Sequence, residues 1–170
     1  RRFDFSFSMG FSQENHSISL EEDEEGLPRC PTLEAGYDFS SISGGSFEMG
    51  SDVEDEDGDE DELVHHVVLS QDFLMGKTEV TQMLYQAVTQ QNPARYKGKF
   101  HPVETVSWFE VVDFCNQLSM MEGLEPCYEI DANYVGWKSG LACTGYRLPT
   151  EAEWEYSAQA GGNTIYAHGN

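Results

Sequence analysis

The chain has 170 residues, enough for one domain with a real core and too few to expect two. Its 31 Asp and Glu against 9 Lys and Arg give a formal net charge of -22, so nucleic acid would be repelled over most of the surface and is excluded as a partner. No apolar run approaches the roughly 20 residues of a membrane span, and 39% hydrophobic residues with ordinary aromatic content exclude global disorder.

Residues 1–36 read as an acidic linker or tail. Arg1-Arg2 precedes several phenylalanines, but Asp4 and the neighbouring serines break any run that could serve as a signal-peptide core. With no initiating Met, the expectation is that an upstream segment has been removed or that the chain is a fragment. The run Glu21-Glu-Asp-Glu-Glu25 and the turn-rich Gly26-Leu-Pro-Arg-Cys-Pro31 complete this part. A folded domain is expected over 37–170. Ile42, Phe47 and Met49 alternate about Gly44-Gly45, which suits a turn leading into a strand.

Nearly every residue from Ser51 to Glu62 is acidic. Placing Gly58 at the sixth position of a calcium loop puts Val53 and Val64 at the first and twelfth ligand positions, so an EF-hand is rejected; a solvated surface loop is expected, with a weak, solvated cation site in the run as the alternative. Val64, Val67 and Leu69 then fit a strand leading to Phe73-Leu-Met75. His65 and His66 are adjacent, so on a strand they face opposite sides and do not chelate one ion together.

Thr81 caps a predicted helix with Met83, Leu84, Ala87 and Val88 at helical spacing, ending near Asn92-Pro93. Ser107 and Glu110 form a capping box that opens a second helix, with Val111, Val112, Cys115 and Leu118 on one side and Gly123 as its stop. A third box, Thr150 with Glu153, starts a helix at Glu151; Pro149 keeps Leu148 out of it and Gly161-Gly162 can end it. Trp108 and Trp154 fall in first turns, where packing between helix and sheet is expected in preference to lining a ligand groove.

The four cysteines, Cys30, Cys115, Cys127 and Cys143, show no close CxxC pair and allow three pairings. Cys127 and Cys143 bracket a segment with turn residues (Asn133, Gly136, Gly140), entered directly after Pro126, and are expected to form a disulfide that closes a hairpin or compact loop. Cys115, inside an apolar helical pattern, reads as a buried structural thiol. Such a disulfide places the protein in the periplasm or outside the cell.

No nucleophile elbow, P-loop, dinucleotide glycine pattern or zinc helix is present. Glu151, Glu153 and Glu155 offer the paired carboxylates of acid–base chemistry, yet capping and the helix dipole already account for Glu151 and Glu153. No catalytic residue, cofactor-binding residue or metal ligand is therefore assigned.

Arg147-Leu-Pro-Thr-Glu-Ala-Glu-Trp-Glu-Tyr156 nevertheless resembles the signature segment of the formylglycine-generating enzyme (sulfatase-modifying factor) family. Gly44-Gly-Ser-Phe-Glu-Met-Gly50, Lys77-Thr-Glu-Val-Thr81 and His101-Pro-Val-Glu-Thr-Val-Ser-Trp108 match the same family in the same order. The resemblance covers about Ile42 to Asn170. It implies an α+β, C-type-lectin-like fold with little regular secondary structure, of which the chain holds the amino-terminal part and lacks the carboxy-terminal part. It also implies, for a complete enzyme, copper- and oxygen-dependent oxidation of a cysteine in a client sulfatase to formylglycine, with calcium sites besides. The family's copper-binding cysteine pair and calcium sites lie after the segment matching Tyr166-Ala-His-Gly-Asn170, and none of the four cysteines matches that pair. Cys115 falls at a helix position that is apolar or Cys in relatives, and Cys127 with Cys143 in an insertion like that of many bacterial homologues. Two expectations result: an oxidoreductase seen only in part and inactive as it stands, or an exported non-catalytic binding or structural module on the same fold. A protein client such as a sulfatase is the expected partner.

Overall fold

A computed structural model describes residues 9–12, 36–50, 63–132 and 134–160. Both acidic runs, Cys30 and the Gly161-Gly162 stop fall outside them. The elements are β1 (Gly10–Ser12), β2 (Phe39–Ile42), β3 (Gly45–Met49), β4 (His65–Leu69), β5 (Phe73–Gly76), α1 (Gln82–Thr89), α2 (Trp108–Met121), β6 (Tyr128–Asp131), β7 (Tyr134–Trp137) and α3 (Glu151–Gln159), with a 3-10 turn at Gly140–Ala142. Helices beside small antiparallel sheets make the chain α+β. Among the described residues no helix is long and apolar enough to cross a membrane.

The chain divides into two compact units. The first holds the described residues up to Ser41 and Phe73–Leu148. Its sheet has the order β1-β5-β2. Its core gathers Val80, Leu84, Tyr85 and Val88 from α1 and the segment before it with Val103, Val106, Val111, Phe114, Cys115 and Leu118 from α2 and the segment before that. The Tyr85 and Phe114 rings stack with centroids 5.2 Å apart, joining the two helices.

One short stretch of the segment assigned as tail is instead structured. Met9 is buried in the core, β1 pairs antiparallel with β5, and Gly10 exchanges both backbone hydrogen bonds with Arg147 at 2.8 and 2.9 Å. The acidity and turn residues of 1–36 describe the segment as a whole. A three-residue strand needs only an open sheet edge and one apolar anchor, and β5 and Met9 provide them.

α1 begins as Thr81 Oγ1 accepts a hydrogen bond from Leu84 N at 3.3 Å. It ends at Thr89, sooner than the Asn92-Pro93 boundary, because Gln90 adopts a left-handed conformation with φ 60°. α2 opens on a reciprocal box: Glu110 N donates to Ser107 Oγ at 3.3 Å, and Ser107 N donates to Glu110 Oε2 at 2.7 Å. Gly123, at φ 70°, turns the chain out of α2, and Leu124 N bonds back to Ser119 O at 2.7 Å. β6 and β7 then form a hairpin in which Tyr128 faces Trp137 and Ile130 faces Val135.

The second unit holds Ile42–Asp72 and the described residues from Pro149. β3 and β4 pair antiparallel from Gly45↔Leu69 to Met49↔His65. α3 lies against this hairpin through Phe47 and Tyr156, whose rings stand 5.2 Å apart, and through Gly50 N, which donates to Glu155 Oε1 at 3.0 Å. A Cβ at Gly45 would stand 2.5 Å from the Tyr156 hydroxyl, so any other residue there would displace that ring. Glu153 N donates to Thr150 Oγ1 at 3.1 Å and Thr150 N to Glu153 Oε2 at 2.8 Å. α3 ends at Gln159, two residues before the glycine pair, with Ala160 as its C-cap in a left-handed conformation.

Removing either cap, by Ser107→Ala or Thr150→Ala, is expected to cost about 1 kcal/mol. A lower denaturant midpoint for each variant is the readout. If neither midpoint moves, the side-chain caps contribute nothing to these helix starts.

Candidate functional site

The segments that resemble the family meet in pairs. Within the first unit, Lys77–Thr81 runs beside His101–Trp108: Val103 N donates to Val80 O at 2.8 Å, Gln82 N donates to His101 O at 2.9 Å, and Thr81 forms a β-bridge with Pro102. Within the second, Gly44–Gly50 holds the 150–156 part of the signature segment through the Gly45, Phe47 and Gly50 contacts given above. Arg147, at the head of that signature, is buried; its guanidinium lies 5.7 Å from the centroid of the Trp137 ring and donates to Leu148 O at 3.2 Å. Backbone hydrogen bonds thus join the first pair of segments, and side-chain contacts the second.

The three glutamates of the signature differ in their surroundings. Glu153 is buried and engaged in its capping box, Glu155 accepts from Gly50 N and, at 3.1 Å, from Gln159 Nε2, and Glu151 is exposed in the first turn of α3. His65 and His66 are both exposed on β4; His66 Nδ1 lies 2.9 Å from Glu48 Oε1, and His65 Nδ1 lies 2.9 Å from Leu63 O. The core-packing expectation for Trp108 and Trp154 is overturned, since they are 41% and 58% exposed. Trp154 stands next to the buried Glu153, and one residue turns about 100° around a helix. Trp108 occupies the first position of α2 and meets the Phe109 ring edge-on at 5.4 Å.

Three of the four cysteines lie among the described residues. Cys127 and Cys143 are joined in a disulfide across 16 residues, with Cα atoms 5.5 Å apart. It closes the base of the β6–β7 hairpin, where Lys138 N also donates to Cys127 O at 3.0 Å and the Lys138 ammonium meets Glu125 Oε1 at 3.1 Å. Asn116 in α2 acts as a further strand for the hairpin: its Nδ2 donates to Tyr128 O at 2.8 Å and its Oδ1 accepts from Tyr128 N at 3.1 Å. Cys115 is fully buried, and burial pushes its thiol up to about 12, against a smaller opposing influence of the Arg147 charge. It stays protonated and sealed at any physiological pH.

Copper held by sulfur needs soft, deprotonated ligands. Neither the bonded pair nor the buried thiol fits that need. Among the described residues no three His, Cys, Asp or Glu side chains come together to hold a metal ion.

One arrangement escaped the sequence reading. Gln82, only 1% exposed, organises the loop after α1: its Nε2 donates to Tyr96 O at 2.8 Å and Pro102 O at 3.2 Å, while its Oε1 accepts from Asn92 Nδ2 and Gly98 N, both at 3.1 Å. The Glu104 carboxylate caps the same loop, accepting from Arg95 N, from Tyr96 N at 2.9 Å and from the Thr105 hydroxyl. The Thr105 hydrogen bond, then that of the Tyr96 amide, holds this carboxyl below its ordinary value. The loop carries Arg95-Tyr-Lys-Gly-Lys-Phe100, a basic and aromatic alternation that stands out in so acidic a chain. Averaging the charge over the chain hides it.

A family model described as the sulfatase-modifying factor enzyme 1-like domain matches residues 27–170. A curated protein of Paenibacillus barcinonensis, named chaperone protein LppX, is 35% identical over 153 residues, covering 80% of this chain and 51% of its own length. The chain thus spans about half the length of that relative. No solved structure matches it.

Proposed function

The chain belongs to the sulfatase-modifying factor enzyme 1-like domain family, and from that premise we propose that it serves as a non-catalytic, protein-binding module on a C-type-lectin-like fold, exported to the periplasm or beyond the cell. The observation that carries this reading is the printed name of the Paenibacillus barcinonensis relative, with the disulfide beside it. Among the described residues two sulfurs are bonded to each other and a third is a buried thiol pushed up to about 12, so none of these three offers the accessible thiolate that binds copper. A disulfide persists in oxidising compartments, which supports export. The name chaperone protein, carried by the Paenibacillus barcinonensis relative, supports a protein client over a small molecule.

Oxygen consumption with copper and a cysteine-containing sulfatase peptide is expected to stay at the level of a protein-free copper control. In parallel, near-stoichiometric amounts of the chain are expected to suppress the aggregation of an unfolded exported protein on dilution from denaturant. Turnover above the copper control would overturn the non-catalytic half of the reading. Unaltered aggregation would overturn the binding half.

A further inference from the structure

The loop from Arg95 to Phe100 differs in character from the rest of the described surface. Three of the 9 Lys and Arg residues, Arg95, Lys97 and Lys99, fall within it, in a chain whose net charge is -22. Cations in such a chain have carboxylates in abundance, and Lys77 and Lys138 are paired with Asp38 and Glu125. Among the described residues Arg95 and Lys99 have no carboxylate within ion-pair distance. Each lies instead over the ring that follows it, Arg95 at 5.5 Å from the Tyr96 centroid and Lys99 at 5.2 Å from that of Phe100. Lys97 turns its ammonium back to Asn92 O at 2.8 Å and so belongs to the loop's own framework.

Both rings are 69% exposed, and the backbone beneath them is held by the buried Gln82 and by Glu104. Two cation-and-ring pairs four residues apart therefore stand on a backbone held by hydrogen bonds, so docking need not order that backbone. Hydrocarbon and aromatic faces this exposed, each topped by a cation, match a partner that brings carboxylates and apolar side chains together. An extended polyanion is disfavoured, because beyond the loop it meets the acidic remainder of the protein. A short segment that touches the loop alone avoids that repulsion.

We propose that Arg95, Tyr96, Lys99 and Phe100 form a docking site for a short acidic segment, interspersed with apolar residues, on a partner protein. This rests on the reading of the chain as a protein-binding module and assigns that role a surface and a partner chemistry. The carboxylates of the segment engage Arg95 and Lys99, and its apolar side chains cover the two rings. Such binding weakens as salt rises, because exposed charge pairs are screened.

The test uses the full chain and a fluorescently labelled peptide of glutamates interspersed with leucine and tryptophan. Saturable binding at low salt is expected, weakened about tenfold by the double variant Arg95→Ser/Lys99→Ser, which removes two exposed charge pairs. Phe100→Ser should weaken it independently. The double variant Lys77→Ser/Lys138→Ser removes the same charge elsewhere and should bind as the parent does; equal weakening in that variant would reduce the effect to bulk charge and overturn the site. Unaltered denaturant midpoints establish that the loop variants remain folded. Absence of peptide binding, or a preference for vesicles of anionic phospholipid or for single-stranded DNA, would also overturn it. Protection of the unfolded client that survives without peptide binding sinks the docking loop alone, whereas loss of protection sinks the binding-module reading beneath it.

Discussion

Breaking the Cys127–Cys143 bond, by reductant or by replacing both cysteines with alanine, is expected to destabilise the first unit by about 3 kcal/mol, the chain-entropy value for a loop of roughly 15 residues. The loop closed here spans 16 residues. Its strands are short, four residues each, and a hairpin of that length is marginal in water without outside support. Asn116 and the Arg147–Trp137 contact supply some, but both act on a hairpin whose ends are already brought together. The denaturant midpoint should fall in parallel for the reduced protein and the double alanine variant. The amides of 128–137 should lose exchange protection more than those of α2, since the disulfide lies at the hairpin's base. Equal midpoints with and without reductant would show that packing and the Asn116 bonds hold the hairpin unaided.

How far such features can be read from sequence depends on how far apart in the chain their partners lie. The capping boxes are legible because Ser107 and Glu110, or Thr150 and Glu153, stand three residues apart and satisfy each other within one helical turn. The hairpin closed by Cys127 and Cys143 is legible for a related reason: the whole closed segment lies between the two cysteines, with Gly140, at φ 55°, opening the 3-10 turn before Cys143. Trp108 and Trp154 have no comparable local cue. A large aromatic in a first turn packs inward or outward according to what lies opposite, and only tertiary structure supplies that. Met9 and β1 were hidden by neighbours of opposite character, since the edge that recruits them is β5, more than sixty positions later.

The separation of partners also explains why Gln82 gave no signal. It reads as one polar residue on an amphipathic helix, yet its partners Asn92, Tyr96, Gly98 and Pro102 lie 10 to 20 residues ahead in a loop without regular structure. A loop of that kind must satisfy its backbone groups somewhere, because buried N–H and C=O groups without partners are costly. Gln82 satisfies three of them from below with a single amide, donating with its nitrogen and accepting with its oxygen. The residue type is dictated by that double requirement. Glutamate accepts but does not donate, and leucine of similar size does neither.

Gln82→Leu is therefore expected to cost about 3 kcal/mol, because each buried polar group left without a partner costs about 1–3 kcal/mol and water entering at the exposed side of the loop relieves part of the sum. Gln82→Glu retains the acceptor for Gly98 N and Asn92 Nδ2 but sets a carboxylate against the carbonyls of Tyr96 and Pro102. It should also be destabilising, and less so at a pH low enough to protonate the new carboxyl, which then donates one of the two lost bonds. Chemical denaturation across that pH range separates the two variants: the leucine protein should show no such recovery relative to the parent. Because the loop carries Arg95, Tyr96, Lys99 and Phe100, amide exchange at Tyr96 and Gly98 should quicken in both variants even where the helices stay protected. A Gln82→Leu midpoint within about 0.5 kcal/mol of the parent, the ordinary range for a surface substitution, would show that Glu104 holds the loop by itself.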